Sequence, residues 1–172
     1  VRGPWRNSRE SSPMILAKCC HDLDLLQYYA KSTCKSVSSV GDLTYFTAKN
    51  APDGAAKRCL DCKYQDSCPY SAKTIYIENW KNRGCPENDW PYNILTLKLP
   101  LTEAVKNGPY GRCVFACDND VVDHQQVSMT FENGVKATLT MTAFTAGGGR
   151  IMRFFGTLGE VVLDEARDVI EV

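Results

Sequence analysis

The sequence has no long hydrophobic run, no excess charge of either sign and none of the common nucleotide or nucleophile motifs. Its longest apolar runs stop far short of the ~18 residues that suggest a membrane span, so no membrane association is expected. Twenty Lys+Arg balance twenty Asp+Glu. That leaves no basic surplus for a polyanion, and a nucleic-acid partner is not expected. No charged-then-apolar segment opens the chain, so export is not indicated and a cytoplasmic location is expected. The G-x-G-x-x-G turn of dinucleotide-binding domains is also missing. Gly147-Gly148-Gly149 follows a strand-like run but leads into more β-like sequence, and Gly108 and Gly111 do not fit the fingerprint. GxSxG, P-loop and HExxH patterns are absent.

What is present starts with length and thiols. The 172 residues fit one domain of ordinary size, with enough chain to bury a core without staples. Nine cysteines rule out complete intramolecular pairing, and in an unexported chain disulfides are not expected. Some of these thiols are buried small hydrophobes and others are candidates for metal binding.

Along the chain, Val1 to Asn7 reads as a strand that begins without a cap or a methionine, as in a piece of a longer protein. Ser11-Ser12-Pro13 then signals a helix start, with Ser12 as N-cap and proline at the first helical position. From Met14 to about Lys31, the residues Ile15, Leu16, Cys19, Leu23, Leu26 and Ala30 form one apolar stripe. Ser36 to Phe46 reads as a strand, and Thr47 to Ser67 as a long loop that demands a structural or functional reason. Short helices are predicted from Pro69 to Trp80 and from Thr102 to Asn107, separated by an irregular stretch with three prolines. Val122–Phe131 and Val135–Phe144 flank Glu132-Asn133-Gly134, and Asn-Gly is the strongest hairpin signal. Val127, Met129 and Phe131 point to one face; His124, Gln126, Ser128 and Thr130 point to the other. A further strand pair is predicted around Thr157-Leu158-Gly159. The expected fold is α+β: an open, mostly antiparallel sheet with helices packed on one face.

Three groups of residues have chemical potential. Lys18 and His21, three apart on a predicted helix, can meet one ligand, and a neutral imidazole beside an ammonium suits proton transfer. The same spacing fits a surface lysine beside a half-buried histidine. Cys59-x2-Cys62-x5-Cys68 resembles one half of a zinc knuckle. Cys85 is the candidate fourth ligand, with Cys113 and Cys117 as alternatives, and the other reading is thiols packed under a loop. Asp118-Asn119-Asp120…Asp123-His124 can contact a divalent cation or sugar hydroxyls, or simply punctuate the turn before a strand.

Taken together, these segments are recognisable. Trp5-Arg6-Asn7-Ser8 and Ser11 to Asp24, with His21-Asp22-x-Asp24 as the most specific element, resemble the start of the C-terminal domain in the glucose–fructose oxidoreductase/inositol dehydrogenase (Gfo/Idh/MocA) family. Cys59–Cys62 through Cys68-Pro69-Tyr70-Ser71-Ala72 and Gly111-Arg112-Cys113 through Gln125 look like one branch of it. The Glu132-Asn133-Gly134 hairpin and Phe155 to Glu160 are similar to its late strands. The resemblance covers nearly the whole chain. It implies a two-domain NAD(P)-dependent oxidoreductase, with residues 1–172 as the C-terminal substrate-binding and oligomerisation domain. NAD or NADP would be held mainly by an N-terminal Rossmann domain outside this sequence, and the piece alone is expected to be inactive.

On that reading His21 handles the proton of a sugar or polyol-like substrate, with Lys18 as its charged neighbour. Arg6, Asp123 and His124 are the candidate substrate contacts. The commoner family pattern has aspartate four residues before the histidine, where this chain has Ala17. Homo-oligomers are expected to form through the Ser128/Thr130/Thr138/Thr140/Thr142 face. The competing reading is a metal-stabilised interaction module built on the cysteine loop, with zinc as a structural ion.

Overall fold

The computed structural model describes residues 2–86, 88–145 and 148–172. Val1, where a strand start is expected, and Gly147 of the glycine run lie outside the described residues. The chain divides into two compact units, Val1–Thr142 and Ala143–Val172. The fold is α+β with antiparallel strands throughout, as expected.

In the larger unit the N-terminal segment is not a strand. Pro4–Arg6 winds as a 3-10 turn, with Arg6 N–H donating to Gly3 O at 3.1 Å. Proline at its first position fixes the required φ and donates no ladder hydrogen bond. The predicted Met14–Lys31 helix is also interrupted. Met14–Ala17 (α1) and Cys20–Ala30 (α2) are separated at Lys18, whose φ of −123° leaves the helical region. The first helix is capped from Pro13, one residue after the expected Ser12. With the stripe broken, Ile15, Leu23, Leu26 and Ala30 still reach the sheet core, while Leu16 is exposed.

The sheet comprises Cys34–Asp42 (β1), His124–Phe131 (β2) and Lys136–Thr142 (β3), with β2 central. Val127, Met129 and Phe131 are buried beneath the α2 residues, as the alternation predicts. Each such side chain contributes about 1.5–3 kcal/mol on burial. Gln126, Ser128, Thr138 and Thr140 are exposed on the opposite face. The hairpin closes with Gly134 N–H donating to Phe131 O at 2.9 Å, at a glycine φ of +90°. Asn133 ties this turn to the helix above. Its Nδ2 donates to Ala30 O at 2.8 Å, and its Oδ1 accepts from Val135 N at 3.2 Å. Asn133→Ala is expected to cost about 1 kcal/mol in urea unfolding; an unchanged midpoint would show that the tie contributes nothing.

The remaining helices, Asn79–Asn82 (α3), Tyr92–Leu95 (α4) and Leu101–Asn107 (α5), form the second core of this unit. A wide π-type turn, Lys73–Glu78, leads into α3, so the predicted 69–80 helix is present with altered winding. Ala72, Ile77, Tyr92, Leu95, Leu101 and Val105 are buried together with Cys59. The 47–67 loop is pinned to this core. Arg58 Nη2 donates to Val105 O (3.0 Å) and Gly108 O (2.7 Å), placing a cation at the carbonyl end of α5. Cys113 N–H donates to Lys57 O at 2.9 Å.

The smaller unit is a three-stranded meander: Ile151–Gly156 (β4), Gly159–Asp164 (β5) and Val169–Glu171 (β6). Its first turn is centred on Thr157-Leu158, where a strand pair is predicted. Among the described residues, no helix is long and apolar enough to cross a membrane.

Candidate functional site

The break at Lys18 changes the geometry expected for the Lys18–His21 pair. Lys18 does not share a continuous helix with His21. Its ammonium lies 4.3 Å from the centroid of the Trp5 ring and 6.0 Å from that of Trp90. Cation–π attraction of this kind contributes ~0.5–1 kcal/mol at an exposed site and holds the side chain in place. His21 sits in the first turn of α2, exposed, and its side chain makes no hydrogen bond among the described residues. It is open to a ligand from solvent.

The three candidate substrate contacts are engaged in internal bonds. Arg6 is buried, and all three guanidinium nitrogens have partners. Nε and Nη2 meet Asp118 Oδ1 at 2.9 and 2.8 Å, Nη1 meets Glu10 Oε2 at 2.9 Å, and Nη1 donates to Gly3 O at 3.2 Å. Arg112 Nη1 also reaches Asp118 Oδ1, at 3.0 Å. The Arg6 hydrogen bond foremost, then the residue's own backbone amide and the charges of Arg6 and Arg112, hold the Asp118 carboxyl below its usual range. Asp120 accepts from Ser8 N and Oγ, both at 2.7 Å. Arg6 and this acidic loop are therefore clasped together, and a substrate would have to displace existing ion pairs to reach them.

Asp123 is buried and does similar work at the end of the sheet. Its carboxylate accepts from the backbone N–H groups of Thr44 (3.3 Å), Tyr45 (2.8 Å) and Phe46 (3.1 Å). This explains why the predicted Ser36–Phe46 strand stops at Asp42: the next amides turn inward to a carboxylate instead of a ladder partner. Asp123 Oδ1 also lies 2.8 Å from His124 Nδ1. Burial opposes ionisation of Asp123, but the His124 bond and the three amides outweigh it and lower the pKa. The turn places Phe46, which is buried, among the rings of Tyr45, Tyr70 and Phe115, with centroids 5.2–6.3 Å apart. His124 stands beside Asp123 with its side chain partly exposed.

No family model, curated protein or solved structure matches the chain. Function must be read from the residues themselves.

The cysteines sort differently from their spacing. Cys59, Cys62, Cys68 and Cys113 line one cavity of about 20 Å³, with Ser71 and Phe115 among the other wall residues. Cys85 lies apart, exposed, at a φ of +58° just after α3. The Cys117 Sγ donates to Cys113 O at 3.2 Å and does not line the cavity. The fourth cavity cysteine is therefore Cys113, because the Arg58–Arg112 bridge and the Cys113–Lys57 bond bring its loop against the 57–62 segment. Among the described residues, no group of three or more His, Cys, Asp or Glu side chains is placed to hold a metal ion, so the expected Cys59/Cys62/Cys68/Cys85 zinc set is not formed. Burial raises the Cys68 thiol, and the neighbouring Cys59 and Cys113 raise it further, against a hydrogen bond from the Tyr70 amide.

Two buried residues, one beside the cavity wall at Cys59 and one in the wall, carry no sequence signal. Arg2 is buried; its Nε donates to Arg112 O at 2.7 Å and its Nη2 lies 3.2 Å from Cys59 Sγ. Ser71 is 1% exposed, and its Oγ has no hydrogen-bond partner among the described residues. Nothing in an arginine or a serine alone marks it as a neighbour of these thiols; only the fold does.

Proposed function

We propose that this chain is the substrate and oligomerisation domain of a two-domain NAD(P)-dependent oxidoreductase acting on a sugar or polyol-like hydroxy compound. The observation that carries the reading is His21: an exposed imidazole at the start of α2, within the His21-Asp22-x-Asp24 helix that gives the resemblance its specificity. The α+β arrangement, with α2 over one face of an antiparallel sheet, supports it. A neutral His21 accepts the proton of a substrate hydroxyl on oxidation and returns it on reduction. Lys18, held over Trp5 at the break between α1 and α2, places a positive charge before the first turn of α2. The exposed Ser128/Thr138/Thr140 face is available for pairing between copies.

Gly108, Gly111, Gly134 and Gly159 do not form a dinucleotide cradle. A Cβ on Gly108 or Gly111 would strike the carbonyl oxygen of Ala104 or Val105, so these glycines serve close backbone contacts at the end of α5. Gly134 and Gly159 serve hairpin turns. The nicotinamide cofactor is accordingly assigned to a separate nucleotide domain.

The test is turnover. The protein carrying both domains is expected to reduce NAD⁺ or NADP⁺ with at least one member of a sugar and polyol panel, and the 172-residue chain alone is expected to give none. Lack of turnover across the whole panel, or cofactor reduction by the isolated chain, overturns the reading.

A further inference from the structure

The break between α1 and α2 leaves the Lys18 ammonium on the surface, set against two indole rings. We infer that Lys18, with Trp5 and Trp90, is a carboxylate subsite, and that the hydroxy compound whose proton His21 handles is a sugar acid. For the chemistry at His21 this rests on the oxidoreductase reading; the subsite itself rests on the geometry around Lys18.

The cation is held in place before any ligand arrives. Trp5 lies in the 3-10 turn Pro4–Arg6, and its ring packs so closely on Gly3 that a Cβ there would strike two ring carbons. The turn is anchored at the next residue, because Arg6 is bonded to Glu10 and Asp118. Lys18 Nζ is 4.3 Å from the centre of the Trp5 ring and 6.0 Å from that of Trp90. Both distances fall within the ~6 Å over which an indole face attracts a cation. A lysine restrained in this way has less rotamer freedom left to lose, so binding costs less ordering entropy.

The charge is held but not neutralised. An ammonium carries three N–H donors and no acceptor, and the Lys18 side chain remains exposed to solvent. Among the described residues, no carboxylate lies within ion-pair distance of it, whereas Arg6 and Arg112 are both bonded to Asp118. One uncompensated unit charge matches the single charge of a carboxylate, and N–H···O bonds between two ionised groups are the strong ones.

The same surface suits the rest of a sugar acid. Trp90 is 58% exposed, and an indole offers an apolar face against which the C–H groups of a hydroxylated chain can pack. His21, also exposed, follows Lys18 by three residues in the first turn of α2. A carboxylate on Lys18 fixes one end of the substrate at the junction that carries the imidazole. A neutral polyol gives this cation no counter-charge, and that difference makes the subsite selective.

The experiment titrates matched ligands into the 172-residue chain by calorimetry. Gluconate is paired with glucitol, galactonate with galactitol and glucuronate with glucose; acetate is the carboxylate without hydroxyls. At least one acid should bind about tenfold or more tightly than its neutral partner and than acetate. Lys18→Gln should abolish that preference, Lys18→Arg should keep much of it, and Trp90→Leu should weaken acid binding. Because a variant could lose the fold, the wild-type preference is also measured at high salt, where an exposed ion pair is screened and the preference should shrink. No binding, equal binding within every pair, an acid held no better than acetate, or a preference that survives Lys18→Gln or high salt overturns the inference. In the protein carrying both domains, turnover of neutral compounds alone overturns it too, while the oxidoreductase reading stands. Lys18-dependent acid binding without any turnover leaves the subsite in place and removes the oxidoreductase reading.

Discussion

Asp123→Ala is expected to destabilise the larger unit by about 3 kcal/mol, the range for removing a buried, multiply bonded charge. That corresponds to a fall in Tm of roughly 6–12 °C for a chain of this size. The substitution leaves the amides of Thr44, Tyr45 and Phe46 without their acceptor, and the Phe46 amide is buried. It also releases the turn that places Phe46 among Tyr45, Tyr70 and Phe115. Asp123→Asn, which keeps one acceptor oxygen, should cost less.

The pH dependence follows from the direction of the shift. The folded pKa of Asp123 lies below its ordinary value, so its stabilisation is fully present above the unfolded value of ~3.9. It is lost as pH falls through the lower folded value. Wild-type stability should therefore drop in this acid window, and Asp123→Ala should show a shallower drop. Thermal melts at neutral and acid pH measure both quantities; a variant with wild-type Tm would remove Asp123 from its anchoring role.

The second large effect concerns His21. On the proposed oxidoreductase reading, His21→Asn in the protein carrying both domains should lower kcat by about 10²–10⁴-fold, the usual contribution of a positioned general acid–base. This equals roughly 3–5 kcal/mol of transition-state stabilisation. The Tm should be nearly unchanged, because His21 is exposed and its side chain makes no hydrogen bond among the described residues. Loss of kcat without loss of stability separates a proton-transfer role from a structural one. An unchanged kcat removes His21 from the chemistry.

Periodicity located elements wherever a local rule governs them. Val127, Met129 and Phe131 alternate because a strand has two faces, and Asn133-Gly134 turns because glycine tolerates positive φ. The places where sequence reading fails are governed by distant partners. Ser36–Phe46 looks like strand to its end, but a carboxylate some eighty residues away captures its last amides. Met14–Lys31 looks like one helix, yet it breaks where Lys18 lies over Trp5. Cys59, Cys62 and Cys68 share one cavity wall with Cys113, a grouping that spacing could not choose over Cys85 or Cys117. The choice rests on a bridge between Arg58 and Arg112, which no local pattern encodes. Arg6 and Asp123 resemble ligand contacts in sequence for the same reason that they serve as anchors: a charged group can satisfy several backbone and side-chain partners at once.

The clasps of the N-terminal segment also set an order of assembly. Arg2 to Arg112, Arg6 to Asp118 and Ser8 to Asp120 each join residues at least 110 positions apart. At ribosomal rates of about 5–20 residues per second, the early partners wait roughly 5–20 s for the late ones to be made. Contacts of such separation also carry the largest loop-closure cost, which slows folding. Residues 2–8 can therefore meet only nearer partners, such as Glu10 for Arg6 and Lys18 for Trp5, while the α2 helix and the cysteine loop are synthesised. They dock only once the 112–120 loop has left the ribosome, making this clasp one of the late steps in completing the larger unit.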